Sequence, residues 1–388
     1  MTMAEGDLAV AQLAFVRHAT IAPQPPPATM TGAIGWLRAN LLSTPFNIVL
    51  TAIIALLLAW AIPGLLRFLI LDAVWTGVDR NACLESVQHR EIGACWPFVR
   101  EWLPYFIYGS YPIPLRWRVD VFFIMLAVGI VWLLWLNAPR RELGTVYFFV
   151  VLPIASFILL SGWAAIGLQP VDTVLWGGAL VTIVVASVGI VFSLPLGILL
   201  ALGRRSHMPA VRTLSLIFIE FVRGVPLVTV LFMASVMLPL FVPEQYSPDK
   251  LLRALIGIAI FASAYMAEVV RAGLQAIPNG QYEGAMAVGL GYWQMIRLIV
   301  LPQALRITIP NIVNTYIGLF KDTTLVFIVG IFDLLRTIEV ARIDPKWATP
   351  VTSTTGYVVA AIFYLIFCYG MSRYARAMEA RLARGDRH

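Results

Sequence analysis

Eight apolar runs dominate this chain, at residues 48–71, 121–136, 145–168, 174–203, 214–242, 251–273, 304–330 and 353–372. A helix needs about 20 apolar residues to cross the hydrocarbon of a bilayer. The second run is short, and the fourth and fifth are longer than a straight crossing requires, so they tilt, bend or protrude. Pro195 and Pro226 sit inside those two and predict kinks. A soluble fold is excluded by composition. The chain is 60% hydrophobic and 13% charged, against roughly 45–50% and about 25% in soluble domains. In water that balance would leave large apolar patches exposed. The expected fold class is all-α, a polytopic membrane helix bundle with about eight spans.

The formal charge is +7, yet most of the arginines lie between the apolar runs. That distribution reads as membrane orientation and argues against nucleic acid as a partner. With both termini cytoplasmic, the inside segments carry Arg17, Arg38, Arg140, Arg141, Arg204, Arg205, Arg212, Arg297 and the arginines after residue 372. The outside segments 169–173, 243–250 and 331–352 carry only Lys250, Arg336, Arg342 and Lys346. Segment 72–119, placed outside, works against this assignment with five arginines balanced by five acids; Arg116 and Arg118 stand awkwardly close to a span. No secretory signal precedes the first run. The N-terminus holds Glu5, Asp7 and a proline run from Pro23 to Pro27, which reads as a flexible or polyproline tail. Cys83 and Cys95 share the 72–119 segment. In an oxidising compartment they pair; otherwise they are two buried thiols. The organisation expected is a cytoplasmic tail over 1–47, an N-terminal membrane extension over 48–170, a second membrane region over 171–375 and a basic tail over 376–388.

One stretch carries most of the functional information. Residues 278–305 read PNGQYEGAMAVGLGYWQMIRLIVLPQAL, a surface segment between two spans. Within it Glu283, Gly284 and Ala285 are followed by Gly289 four positions later, then nine residues, then Ile299, Leu301 and Pro302. Small residues admit a close partner, the Gly289–Gly291 pair breaks a helix, and Trp293, Met295 and Ile296 offer apolar anchors. Without a partner the same stretch reads as an amphipathic helix on the membrane surface. The spacing resembles the cytoplasmic EAA loop of ABC importer permeases, with Gly284 in place of the middle alanine. Three further stretches resemble the amino-acid branch of that family: FIEFVRGVPL from Phe218, AYMAEVVRAGLQAIPNGQ from Ala264 and FKDTTLVFIVGIF from Phe320. The extra N-terminal spans and the paired cysteines resemble the larger permease of general L-amino-acid importers.

The resemblance implies a type I importer permease core over 171–375, in a bacterial inner membrane. It implies a second permease as heterodimer partner, a cytoplasmic ABC ATPase dimer docked on loop 278–303 and a periplasmic amino-acid-binding protein. It implies transport of L-amino acids by alternating access, with ATP and Mg used by the ATPase and no cofactor in this chain. Arg223, Glu268, Arg271, Lys321 and Asp322 lie in or beside predicted spans. Charges there are costly and call for partners. Glu268 and Arg271, and Glu220 and Arg223, are spaced to pair along one helix. They brace the bundle near an interface, or they line a substrate path or gate for a zwitterion. Lys321 and Asp322 fit the second role better.

The chain is not expected to be an enzyme. A P-loop needs G-x-x-x-x-G-K-[ST], and its three lysines follow Asp249, Phe320 and Pro345. His18, His89, His207 and His388 are too scattered for a metal site. The alternative is an ion-coupled secondary amino-acid transporter, in which internal symmetry is common; the sequence shows no internal repeat.

Overall fold

The computed structural model describes residues 31–135 and 138–385. The tail to residue 30 with its proline run, residue 136 at the end of the second expected span, and residues 386–388 lie outside the described residues. Among the described residues no strand forms, and pairing outside helices is limited to isolated bridges such as Val74 with Cys95 and Gly178 with Asp333.

One compact unit ends at Leu71 and a second begins at Asp72. The first holds α1 (Gly32–Asn40) and α2 (Pro45–Leu66), which continues into a wide turn over Arg67–Leu71. Thr44 caps α2 by accepting from the Asn47 amide at 3.2 Å, and Pro45 sits where a helix needs no N–H. No residue of α2 is buried within its unit. A helix apolar on every side suits a lipid surround.

The second unit holds α3 (Trp96–Tyr108), α4 (Trp117–Leu134), α5 (Leu152–Ser161), α6 (Gly178–Arg204), α7 (Pro209–Gly224), α8 (Leu227–Phe232) and α9 (Lys250–Ala276). It continues with α10 (Asn279–Ala287), α11 (Leu301–Asp322), α12 (Leu334–Ala341) and α13 (Pro350–Gly385). The core centres on α6, α9 and α11. Small buried residues on α9, including Ala254, Gly257, Ala262, Ala264 and Ala267, let helices approach closely. Gly197 of α6 faces the same helix so tightly that a Cβ there would come within 2.8 Å of Met266.

Among the described residues, seven helices are long and apolar enough to cross a membrane, and they coincide with seven of the eight apolar runs. The eighth, 214–242, differs from expectation. It is a bent pair, Pro209–Gly224 and Leu227–Phe241, turned by 104°. Val225 between the arms is extended at φ −106° and ψ 134°, as a residue before proline prefers. Pro226 then has no N–H to join the first arm to the second. Pro195, by contrast, is held inside the continuous helix α6.

Segment 72–119 folds into a cap. Cys83 and Cys95 are disulfide-bonded with their Cα atoms 5.9 Å apart. The Cys95 amide donates to Thr355 Oγ1 of α13 at 2.9 Å. Lys346 Nζ meets Glu101 at 2.6 Å, and the Trp347 indole donates to the same carboxylate at 3.0 Å. The two arginines near the span are accommodated. Arg118 donates to the Gln169 carbonyl at 2.7 Å, and the Arg116 guanidinium lies 5.0 Å from the centre of the Tyr108 ring.

Asp333 pins the cap end of the bundle. It is fully buried and caps α12, accepting from the Leu335 and Arg336 amides at 3.2 and 3.1 Å. On either side of it, the Leu334 amide donates to Thr182 of α6 at 3.0 Å and the Gly178 amide donates to the Phe332 carbonyl at 2.9 Å. Gly178 has φ +66°, and a Cβ there would sit 2.2 Å from the Phe106 carbonyl oxygen, so only glycine fits. Burial, with Glu339 nearby, pushes the Asp333 carboxyl up to about 6 against the pull of the two amides. The fold thus favours the protonated acid. Its stabilising contribution is full below about pH 4 and is lost as pH rises through about 6, on the order of 2–3 kcal/mol. Thermal unfolding of the solubilised chain should show that decline, and Asp333→Asn, which keeps an acceptor for the cap, should flatten it.

Candidate functional site

The stretch 278–303 begins as a short surface helix and ends as part of a span. Pro278, extended at φ −59° and ψ 143°, starts α10. Its end is a Schellman turn: the Leu290 amide donates to the Ala285 carbonyl at 3.1 Å and the Gly289 amide to the Met286 carbonyl at 2.9 Å. That turn requires a left-handed residue, and Gly289 supplies φ +77°. The spacing from Ala285 to Gly289 therefore has a mechanical reason. Gly291 has φ −68° and ψ 162°, a conformation open to any residue, and its amide donates to Gln294 Oε1 at 3.2 Å. Only the first of the two glycines breaks the helix by its backbone.

From Tyr292 the chain is helical without interruption to Val329. A wide turn over Ile296–Val300 precedes Pro302, which has no N–H to return to the turn before it. Ile299 and Leu301 pack against a core formed by Val270, Leu274, Ala285, Val300 and Ala304. Met295 and Ile296 are buried in this core and are not surface anchors. The exposed apolar side chains of the stretch include Met286, Val288, Tyr292, Trp293 and Leu298 instead, beside the exposed Glu283 and Gly284.

Arg205, the C-cap of α6, ties the loop to the bundle. It donates to the Leu274 carbonyl at 2.9 Å and to the Tyr282 hydroxyl at 3.0 Å, and Tyr282 donates in turn to Leu274 at 3.2 Å. A cavity of about 430 Å³ lies beneath, lined by Arg205, His207, Tyr282, Met286 and Tyr292 among others. Across the stretch, Gln303 donates to Gln281 at 3.1 Å.

Next to this clamp the structure gathers five charges from three helices. Glu268 of α9, 15% exposed, accepts from Arg204 of α6 and is paired with Arg271 at 2.7 Å and with Arg223 of α7 at 3.8 Å. Arg204 also reaches Glu220 at 3.1 Å. Arg223 lies 5.5 Å from the centre of the Tyr265 ring, and Arg271 donates to Gln275 at 2.9 Å. Both oxygens of Glu268 are thus engaged by guanidiniums, which neutralises the carboxylate and fastens α6, α7 and α9 together. Lys321 and Asp322 do not join this group. They close α11 at the end away from Pro302, with Lys321 exposed and Asp322 partly buried.

The residues of both groups fall within 193–384, where the chain matches the family described as binding-protein-dependent transport system inner membrane component. It is also 48% identical over 363 residues, 94% of this chain and 96% of the other, to the inner membrane amino-acid ABC transporter permease protein YhdY of Escherichia coli K12. This chain belongs to the amino-acid ABC transporter permeases. A second relative, the glutamate/glutamine/aspartate/asparagine transport system permease protein BztC of Rhodobacter capsulatus, is 38% identical over 96% of this permease and 99% of its own length. A crystal structure described as an amino acid ABC transporter with histidines covers 53% of the permease and 92% of its own chain, at 25% identity and a TM-score of 0.46.

Sequence reasoning located the permease's loop and its glycine but missed Arg204, Arg205 and Tyr282 as its supports. Arg204 and Arg205 read as orientation charges, and nothing in their spacing points to residues 64 to 77 positions away. The one departure from the EAA pattern is sterically free, since a Cβ on Gly284 would meet nothing within 4 Å. Gly284→Ala should therefore stabilise α10 by about 0.5–1 kcal/mol. Slower amide hydrogen exchange across 279–288 is the expected result.

Proposed function

We propose that this permease carries polar L-amino acids into a bacterial cell by alternating access, driven by ATP binding and hydrolysis in a separate ABC ATPase dimer docked on loop 278–303. ATP and its Mg belong to that partner. The observation that carries the reading is the build of the loop. α10 and its C-cap present Glu283, Met286 and Val288 outward, the Schellman turn at Gly289 closes the helix, and Arg205 ties it to α6 and α9. Beyond it the helix runs unbroken from Tyr292 into the span. A push on α10 is therefore delivered to three spans as a displacement and not absorbed by a flexible linker. The names of the relatives support amino acids as cargo.

In this reading the loop and both termini are cytoplasmic, and the cap with its Cys83–Cys95 bond faces the periplasm, where disulfides persist. A periplasmic amino-acid-binding protein delivers cargo to that face. A second permease completes a heterodimer of type I importer architecture around the path. Arg223, Glu268 and Arg271 brace the bundle, since their charges are already spent on one another. Lys321 and Asp322, held apart from that cluster, are the candidates for the cation and anion that a zwitterion requires.

The test is uptake and ATP hydrolysis in proteoliposomes containing the assembled transporter. Glu283→Lys should lower ATPase co-purification or uncouple hydrolysis from uptake, and wild-type values for both would count against docking. Asp322→Ala should abolish uptake while the complex still assembles; normal uptake in that variant removes Asp322 from the path.

A further inference from the structure

A cavity of about 540 Å³ lies between α5, α6 and α9, away from the loop and its charge cluster. Its floor is buried and apolar: Leu152, Leu160, Val184, Val191 and Leu251. Its rim consists of exposed apolar side chains, among them Ile154, Phe157, Phe192, Leu252 and Ile256. The opening thus lies on a surface that faces lipid in a membrane-spanning bundle. The walls are not wholly apolar, however. Ser156 Oγ, Ser161 Oγ and Trp176 Nε1 are buried without a hydrogen-bond partner, and all three residues belong to the cavity wall. Trp176 is 5% exposed and Ser156 is 9% exposed. Buried donors without acceptors are rare in folded proteins, and three around one cavity point to an occupant that supplies acceptors.

The polar groups have a definite place. Ser161 ends α5, Trp176 stands just before α6, and Asp249, also in the wall, caps the start of α9. All three mark the end of these spans opposite the loop. From there the cavity follows α9 from Leu251 to Ile260, ten residues spanning about 14 Å of helix. That is close to half of a hydrocarbon core of about 30 Å. The cavity is therefore polar at the level of the membrane interface and apolar for the depth of one leaflet.

We propose that a phospholipid occupies this cavity, with one acyl chain along α9 and its ester carbonyls accepting from Trp176 and Ser161. A packed helix does not suit the site, because the backbone carbonyls of a helix are already engaged along its length. Water does not suit the apolar floor, where it finds too few partners. The lipid joins the N-terminal extension, through α5, to α6 and α9, two of the central helices of the permease core.

The test uses full-length permease from cells fed a fatty acid that carries a diazirine. After a delipidating detergent wash and irradiation, adducts should map to 152–160, 184–196 and 251–260, several-fold above those on α2, which is also strongly apolar but lines neither cavity. Ala259→Phe, which fills the cavity, should lower the cavity adducts about tenfold and leave those on α2 unchanged. Trp176→Phe keeps the ring and deletes the donor. It should lower the washed adducts about threefold, so the proposal stays testable if Ala259→Phe does not fold. Cavity adducts that wash away with those on α2, that persist in both variants, or that are replaced by cross-links to another polypeptide would overturn the assignment.

Discussion

The ion cluster around Glu268 is the interaction on which the working end of this bundle depends. A charge inside a membrane protein is tolerated when it is paired, and the cost of leaving it unpaired is several kilocalories per mole, by estimates of about 2.5–3.5 kcal/mol on insertion scales. Glu268 meets that condition by recruiting Arg204, Arg223 and Arg271 from three helices. The geometry this imposes is specific. It fixes the end of α6 beside α9, which places the next residue, Arg205, over Leu274 and Tyr282. The surface helix that carries Glu283 is thereby held in a defined position against the bundle, as a lever must be.

The opposite end is built by different means. There the bundle is closed by a disulfide-bonded cap, by the buried cap of Asp333 on α12, and by the hydrogen bond from Leu334 to Thr182 on α6. α6 takes part at both ends, with Gly178 and Thr182 at one and Arg204 and Arg205 at the other. Movement of the loop is therefore felt along a helix whose far end is anchored in the cap. In the alternating access proposed for this permease, α6 is the member that would couple the two faces.

Much of this was legible in the sequence because its causes are local or compositional. Apolar runs mark spans since hydrocarbon admits little else, and seven of the eight appear as continuous helices. Gly289 was legible because a helix end that turns left-handed asks for glycine. The break at Pro226 is half legible: the proline predicts a kink, but the 104° turn also needs Val225 extended. Helical spacing made Arg271 a partner for Glu268, as found. The same rule paired Glu220 with Arg223, whereas Glu220 meets Arg204 across helices. Met295 and Ile296 read from the sequence as surface anchors because a short loop segment shows no face of its own; the structure buries both in the core with Val270 and Ala304. What was missed, in each case, is set by which helices lie side by side.

The central claim is that this chain is a passage and a docking surface whose energy comes from a separate ATPase. The most direct measurement isolates a tagged copy from its native membrane with whatever accompanies it and reconstitutes it in liposomes. Amino-acid uptake is then followed with ATP supplied to the ATPase face and all ion gradients collapsed. The account predicts that an ATPase co-purifies, that uptake requires ATP together with a loaded binding protein, and that ionophores leave it unchanged. Uptake driven by an imposed ion gradient without ATP would contradict the account and identify the chain as an ion-coupled transporter.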